Sequence, residues 1–352
     1  MSNEVELKLA VSPDAFPILS EYLNQFNILE NDTVALGNTY YDFPDRFLAQ
    51  QKMGLRVRRQ DGQITLTLKT DGRVVGGLHS RPEYNLPLAQ DLPPTPEQLR
   101  ELYPFSELPT AALQAIFTTD FTRSWWLIDF QGTQIEVAFD RGEIVAQQQT
   151  MPICEIEFEL KKGDISTLLD FVTGLPFNEN IYFSGESKAK RGYQLGRKRL
   201  VTDWLNKWRD FLQQARQMDT TDNAAAQCIN LFKMEQQLIE ETLSFPMSTF
   251  SVDFMKTVER VGAFFNLYHY YDENAKLLES ALAEKIAQGC QFAPDLLAEL
   301  VQSNQYLLNE IKELIRFHSE TKDNSATIEK LSALLKGRAY FERMINFMKL
   351  NA

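Results

Sequence analysis

Three cysteines in 352 residues, an odd number and widely scattered (Cys154, Cys228, Cys290), are poor material for a disulfide framework or a cysteine-ligated zinc site. A reducing cytoplasm is the expected compartment. No apolar run is long enough to span a bilayer. The N-terminus, with Glu4, Glu6 and Lys8 among alternating apolar residues, lacks the apolar core of a signal peptide. Positive charge is short as well, with 36 Lys and Arg against 48 Asp and Glu for a net charge of −12. That argues against broad binding of duplex nucleic acid or of anionic membranes, while leaving room for a small anion in a local basic pocket. Glycine and proline thin out along the chain. Residues 1–200 hold 13 of the 16 Gly and 12 of the 14 Pro, and residues 201–352 hold three and two. Few turns after residue 200 mean long helices rather than short strands there. The chain is long enough for two domains, divided at 1–200 and 201–352.

The first part reads as strands with helical insertions. Asn3–Val11 alternates strictly, Ser12-Pro13 opens a helix over 13–27, and further strands are expected at Gly37–Asp42, Gly54–Gln60, Gln63–Thr70, Gly76–Leu86, Phe121–Phe130, Thr133–Arg141 and Pro152–Leu160. Asp61-Gly62 and Gln131-Gly132 are hairpin turns. Residues 91–117 read as a loop with short helices, and 164–173 as a helix closed by Gly174. Hairpin-linked strands with few crossovers favour an antiparallel barrel. The second part patterns as helices over 203–217, 224–243, 251–287, a segment after Pro294, and 326–348, arranged as a bundle. The fold class is α+β: a β barrel with flanking helices, then an all-α domain.

Charge segregates onto one face of strand after strand: Glu4, Glu6 and Lys8; Arg56 and Arg58; Lys69; Arg81 and Glu83; Arg123; Glu136 and Asp140; Glu155, Glu157 and Glu159. One such strand is a sheet with its polar face in water. Many together, with like charges two residues apart, need a compensating ligand. A barrel closed with these faces inward has a lumen that is both acidic and basic. Carboxylates gather hard divalent cations such as Mg²⁺ or Mn²⁺, and guanidinium and ammonium groups grip phosphate oxygens, so the joint ligand is a metal–polyphosphate complex.

The N-terminal Glu4-x-Glu6-x-Lys8 resembles the signature of the CYTH, or triphosphate tunnel metalloenzyme, family. In the family's order follow Thr39-Tyr40-Tyr41-Asp42, Gly54-Leu55-Arg56-Val57-Arg58, Thr67-Leu68-Lys69, Arg81-Pro82-Glu83, Phe121-x-Arg123, Glu136 to Asp140, Glu155-x-Glu157-x-Glu159 and Ser187-Lys188-x-x-Arg191-Gly192-Tyr193. The run from Gly76 to Asn85 is most similar to bacterial inorganic triphosphatases that carry a C-terminal helical CHAD domain. The resemblance implies an eight-stranded antiparallel tunnel that hydrolyses a triphosphate to diphosphate and phosphate with a divalent metal. It implies metal ligation by Glu4, Glu6, Glu157 and Glu159, with Glu155 and Asp140 beside them. Lys8, Arg56, Arg58, Lys69, Arg81, Arg123, Lys188 and Arg191 would bind the phosphates. Glu83 and Glu136 would orient those cations or the attacking water.

Phosphoryl transfer asks for positioning and charge neutralisation, so no serine, cysteine or histidine nucleophile is expected. The same fold hosts class IV adenylyl cyclases and thiamine triphosphatases, and a non-catalytic polyphosphate-binding scaffold is the reading from another class. His79, near Arg81, could touch a phosphate, but a lone histidine reads first as a surface or packing residue. Trp125-Trp126 could stack on a base, but reads first as a pair packed on helices. Lys188, Lys190, Arg191, Arg197, Lys198 and Arg199 look like a nucleic-acid patch, which the acidic balance disfavours. The helical part is short for a CHAD domain. Its Lys312, Arg316, His318, Arg338 and Arg343 read either as a residual anion patch or as solvated helix faces.

Overall fold

The computed structural model describes residues 2–75, 78–176, 181–183, 186–195, 202–217, 223–245 and 247–351. Gly76, Gly77 and the basic run Arg197, Lys198 and Arg199 lie outside the described residues. The chain divides into two compact units, Met1–Pro176 with Phe183–Arg199, and Phe177–Tyr182 with Leu200–Ala352.

The described strands are β1 (Ser2–Val11), β2 (Asn27–Asp42), β3 (Gly54–Gln60), β4 (Gln63–Lys69), β5 (Arg73–Val75), β6 (Leu78–Leu88), β7 (Gln114–Phe130), β8 (Thr133–Ala146), β9 (Gln149–Lys162) and β10 (Ile181–Phe183). Eight of them form a closed antiparallel barrel in the order β1-β9-β8-β7-β2-β3-β4-β6, with β6 pairing back onto β1. Both expected hairpins are present. Asp61 and Gly62 take φ of 51° and 77°, and Gln131 and Gly132 take 53° and 80°. Two successive positive φ values give a type I′ turn, whose twist matches that of its strands.

Alternation puts Leu7, Leu9, Ile135, Val137, Ile156 and Phe158 on the outside of the barrel, where they are fully covered. Helices α1 (Ala15–Leu23) and α4 (Ile165–Thr173) belong to this layer. Phe171 of α4 meets Phe26, Phe130 and Phe158 at ring distances of 5.1, 5.4 and 6.1 Å, and Phe16 of α1 meets Phe139 at 5.1 Å. Each such burial contributes roughly 1.5–3 kcal/mol. A second apolar cluster joins Leu55, Val57, Leu66 and Leu68 to Leu48 of α2 (Phe47–Gln50) and to Leu99 and Leu102 of α3 (Pro96–Leu102). Helix α3 starts on a capping box formed by Thr95 and Gln98. A fifth helix, α5 (Lys188–Gln194), is capped by Ser187, whose side chain accepts from the Lys190 N–H.

Four strands outrun the sequence pattern. β8 continues to Ala146 and β9 covers Gln149–Lys162, and the largest extensions are in β2, which begins at Asn27, and β7, which begins at Gln114 inside the stretch read as a loop with short helices. Pairing explains the last two: Asn27–Ala35 runs along Thr122–Asp129, so Glu30, Asn31 and Asp32, which no pattern assigns to a strand, are carried by the ladder.

The second unit is helical: α6 (Trp204–Gln217), α7 (Ala224–Ser244), α8 (Met247–Ser251), α9 (Phe254–Glu273), α10 (Ala275–Ala287), α11 (Leu296–Thr321), α12 (Asn324–Leu335) and α13 (Arg338–Asn351). The segments 251–287 and 326–348, each expected as one helix, are broken near Asn274 and at Lys336-Gly337. Among the described residues no helix is long and apolar enough to cross a membrane. The anion-patch reading is corrected here. Arg343 is buried, donating to Glu235 at 2.9 and 3.1 Å and to Ser303 at 2.7 Å. Arg316 pairs with Glu313, Arg338 with Glu342, and His318 bonds Asn324.

Candidate active site

Directly opposed residues in an antiparallel ladder share a face, so the register states which side chains line the lumen. His79, Glu6, Glu159 and Glu136 form one row across β6, β1, β9 and β8. Lys8 and Glu157 form the next, and Glu155, Asp140 and Arg123 another. Glu4 stands opposite Arg81, and Lys69 opposite Glu83. Arg56 and Arg58 are on β3, four strands from β9 around an eight-stranded barrel and so on the opposite wall.

The more buried carboxylates form a closed ionic network. Asp140, Glu155 and Glu157 offer oxygens that all lie within 4.8 Å of one another. Lys8 Nζ is 3.2 Å from Glu155 and 2.7 Å from Glu157, and Lys188 Nζ is 2.5 Å from Asp140 and 2.9 Å from Glu157. Arg123 donates twice to Asp140, at 2.7 Å each, and also contacts Glu157, while Arg191 contacts Glu155. Burial alone would push the Glu157 carboxyl up. Lys188, Lys8 and Arg123 outweigh it and hold the group well below the usual range. The same balance lowers Asp140, with burial opposed by Arg123 and Lys188, and raises Lys8 despite its burial.

One row along, the balance reverses. Lys69 contacts Glu4 and lies 3.2 Å from Glu83, and Lys161 lies 3.0 Å from Glu136 and 2.8 Å from Glu159. These cations do not suffice. Burial pushes Glu159 up to about 7 against Lys161, with Glu4 and Glu136 adding to the rise. Burial likewise raises Glu4, helped by Glu6 and Glu83. Glu6 goes the other way: burial and the neighbouring Glu157 act to raise its carboxyl, but Lys69 and Lys8 outweigh them and hold it below the usual range. Glu4 and Glu159 are the carboxylates left short of positive charge, and with Glu6 and Glu136 beside them they form a hard-oxygen donor set that fits a divalent cation.

On the opposite wall the imbalance has the other sign. Arg56 lies against the Tyr40 phenol with its Nε unbonded, and Arg58 donates from Nε to Asn38 Oδ1 at 3.0 Å. Burial, then Arg56 and Arg123, brings Arg58 down to about 9. Glu83 and Glu4 act on Arg56 through space, but among the described residues neither Arg56 nor Arg58 makes a direct carboxylate ion pair, and guanidinium groups held together in this way are suited to an anion.

The motif around Lys188 acquires a reason residue by residue. Ser187 caps α5, Lys188 enters the ionic network, and Arg191 reaches Glu155. A Cβ on Gly192 would stand 2.3 Å from the Phe117 ring, so glycine is required there. Tyr193 donates to Asp42 Oδ2 at 3.1 Å, and Asp42 also accepts from the backbone N–H groups of Phe43, Leu48 and Ala49. Asp42 and Tyr193 therefore hold the β2–α2 corner and α5, a task their motif letters do not reveal. His79, read as a surface or packing residue, is instead in the lumen row beside Glu6. The alternation His79, Arg81, Glu83 was the signal for it. Trp126 packs on Phe16 at 6.0 Å, as expected of a strand-end tryptophan, and Trp125 lies against the apolar cluster of Phe121 and Ile153.

Comparison with known proteins accords with this geometry. Residues 2–193 match the CYTH domain. An inorganic triphosphatase of Haemophilus influenzae is 60% identical over 351 residues, spanning 100% of this chain and 98% of its own. Among solved structures, a Hippeastrum protein named for an adenylyl cyclase, with a dominant triphosphatase activity, aligns with TM-score 0.42 and 22% identity over 56% of this chain and 97% of its own. A solved inorganic triphosphatase aligns with TM-score 0.25 and 16% identity over 55% and 96%. The domain match covers more than half of the residues and the Haemophilus relative covers all of them: the chain belongs to the CYTH family.

Proposed function

We propose that this protein is an inorganic triphosphatase that hydrolyses tripolyphosphate to diphosphate and phosphate with Mg²⁺ or Mn²⁺. The observation that carries the reading is the opposed imbalance inside one closed barrel, with Glu4 on β1 and Glu159 on β9 pushed up by burial and Arg58 on β3 pushed down by burial and its arginine neighbours. The name of the 60% identical relative supports it. Glu4, Glu6 and Glu159, with Glu136 beside them, are the ligands we assign to the metal. Asp140, Glu155 and Glu157, though also carboxylates, serve chiefly to aim Lys8, Lys188, Arg123 and Arg191. When bound, the cation screens the triphosphate charge and acidifies a coordinated water.

The protein's own share of the reaction is position and charge. Arg56 and Arg58 hold one stretch of the phosphate chain, and Lys8, Lys69, Arg123 and Lys188 hold the rest as the negative charge shifts in the transition state. Glu83 and Glu136 keep Lys69 and Lys161 in place. Water oxygen attacks the terminal phosphorus in line, the bridging P–O bond breaks and diphosphate departs. Residues 201–352 are assigned as a short CHAD-like bundle whose buried Glu235–Arg343 pair supports a packing role, and the free cysteines suit the cytoplasm.

The test is phosphate release from tripolyphosphate, with ATP and thiamine triphosphate in parallel, in Mg²⁺, in Mn²⁺ and in EDTA. Release that is metal-dependent and fastest on tripolyphosphate is expected. Tight binding of tripolyphosphate without release would make the barrel a binding module and end this reading.

A further inference from the structure

His79 is 2% exposed and stands opposite Glu6 on the lumen face of β6. Its Nδ1 is in hydrogen-bond contact with Nη2 of Arg81, two residues along the same strand face. A guanidinium only donates, so Nδ1 accepts and the ring proton is on Nε2. That Nε2 is buried and has no hydrogen-bond partner among the described residues. Buried N–H donors are nearly always satisfied, and leaving one unmade is unfavourable. A donor fixed in direction, buried, and unanswered by the protein is answered by a ligand.

The groups around the ring decide which ligand. Glu6, Lys8, Lys69 and Arg81 are its charged neighbours. With Nδ1 accepting from Arg81, the ring carries one proton and no charge. A further cation beside Lys8, Lys69 and Arg81 would be repelled. A neutral N–H adds a hydrogen bond at this place without adding charge.

We infer that His79 donates from Nε2 to a non-bridging oxygen of the phosphate chain, and that Arg81 is the positioning residue that fixes its tautomer. The inference rests on the triphosphatase reading above and extends it. Arg81, grouped with the phosphate ligands by its motif, thereby acts through His79.

The experiment is ¹⁵N NMR of the histidine rings in the full-length protein, in EDTA, with and without saturating tripolyphosphate. The expected spectrum shows His79 protonated at Nε2 alone, with that N–H resonance shifting on saturation. In turnover assays His79→Leu should raise KM for tripolyphosphate about tenfold with kcat within about threefold. His79→Gln, whose amide nitrogen reaches the Nε2 position, should return KM to within about threefold of wild type. Arg81→Met should give a mixture of tautomers. A ring protonated at Nδ1, an Nε2 resonance indifferent to bound tripolyphosphate, or an unchanged KM in His79→Leu would each overturn the inference while leaving the triphosphatase reading intact. Failure of the wild type to bind or hydrolyse tripolyphosphate would overturn both. If His79→Leu does not fold, the wild-type spectra still decide.

Discussion

Asp140, Glu155 and Glu157 are held by four cations of the chain itself, Lys8, Lys188, Arg123 and Arg191. Those acids are on β8 and β9; Glu4, Glu6, Glu136 and Glu159, on β1, β8 and β9, have Lys69 and Lys161, with Arg123 4.0 Å from Glu136, and Lys69 is shared with Glu83. Strand alternation treats the two groups alike, since both are carboxylates facing one lumen. Their surroundings separate them. In the first group internal cations hold Asp140 and Glu157 below the usual carboxylate range, as a buried network must. In the second, Glu159 is pushed up to about 7 because burial and its acidic neighbours exceed what Lys161 supplies. The difference teaches that lumen carboxylates are not equivalent, and the proposed metal ligands are chosen by the shortage of cations around Glu4 and Glu159 rather than by counting acids.

The sharpest way to break this comparison is to remove charge from each group in turn. Glu4→Gln and Glu6→Gln should each lower kcat by roughly a thousandfold, equivalent to about 4 kcal/mol of barrier, with the fold intact. Steady-state phosphate release together with circular dichroism checks this, and activity within tenfold of wild type in both variants would remove these residues from the site. In the other group Asp140→Ala takes the bidentate partner from Arg123 and one of three carboxylates from Lys188, leaving Glu155 and Glu157 to serve both, and should lower unfolding free energy by about 3 kcal/mol in urea titrations. A loss under about 1 kcal/mol would mean the network is not what holds that wall.

The fold was largely legible because the barrel strands alternate and their turns are conspicuous: β1, β3 and β4 end within a residue or so of where the pattern puts them. What alternation does not encode is pairing. Asn27–Leu36 carries no pattern that assigns it to a strand and becomes one because β7 lies beside it. The lumen residues were legible as a set, since a period of two assigns a face. The division between closed and open carboxylates was not, because it depends on α5 bringing Lys188 to Asp140 of β8 and Arg191 to Glu155 of β9, partners remote in sequence. In the bundle the same limit applies to Arg343. On a helix it reads as a solvated base, and its burial against Glu235 of α7 is a matter of packing alone.

Metal addition sharpens the contrast at smaller amplitude. At a hundredfold excess of Mn²⁺ over its Kd the wild type should gain about 2.7 kcal/mol of stability, since the ion binds the folded state. The double variant Glu4→Gln, Glu6→Gln should gain almost none. An equal gain in both would move the ion to Asp140, Glu155 and Glu157 and reverse the assignment.

The smallest effect is set by Glu83. Burial acts to raise its carboxyl, but Lys69, Arg56 and Asn85 prevail and bring it to about 2 from an ordinary value of 4.5. The unfolded chain therefore binds this proton more readily than the folded one. The stability the group contributes is complete above pH 4.5 and disappears as pH falls toward 2. Because the carboxylate is partly open to solvent, screening reduces its share to about 1 kcal/mol. Urea unfolding of wild type and Glu83→Gln should show a gap of that size at pH 6 which narrows at pH 3. A gap independent of pH would mean that Glu83 is held by shape and not by charge, and that Lys69 answers to Glu4 alone.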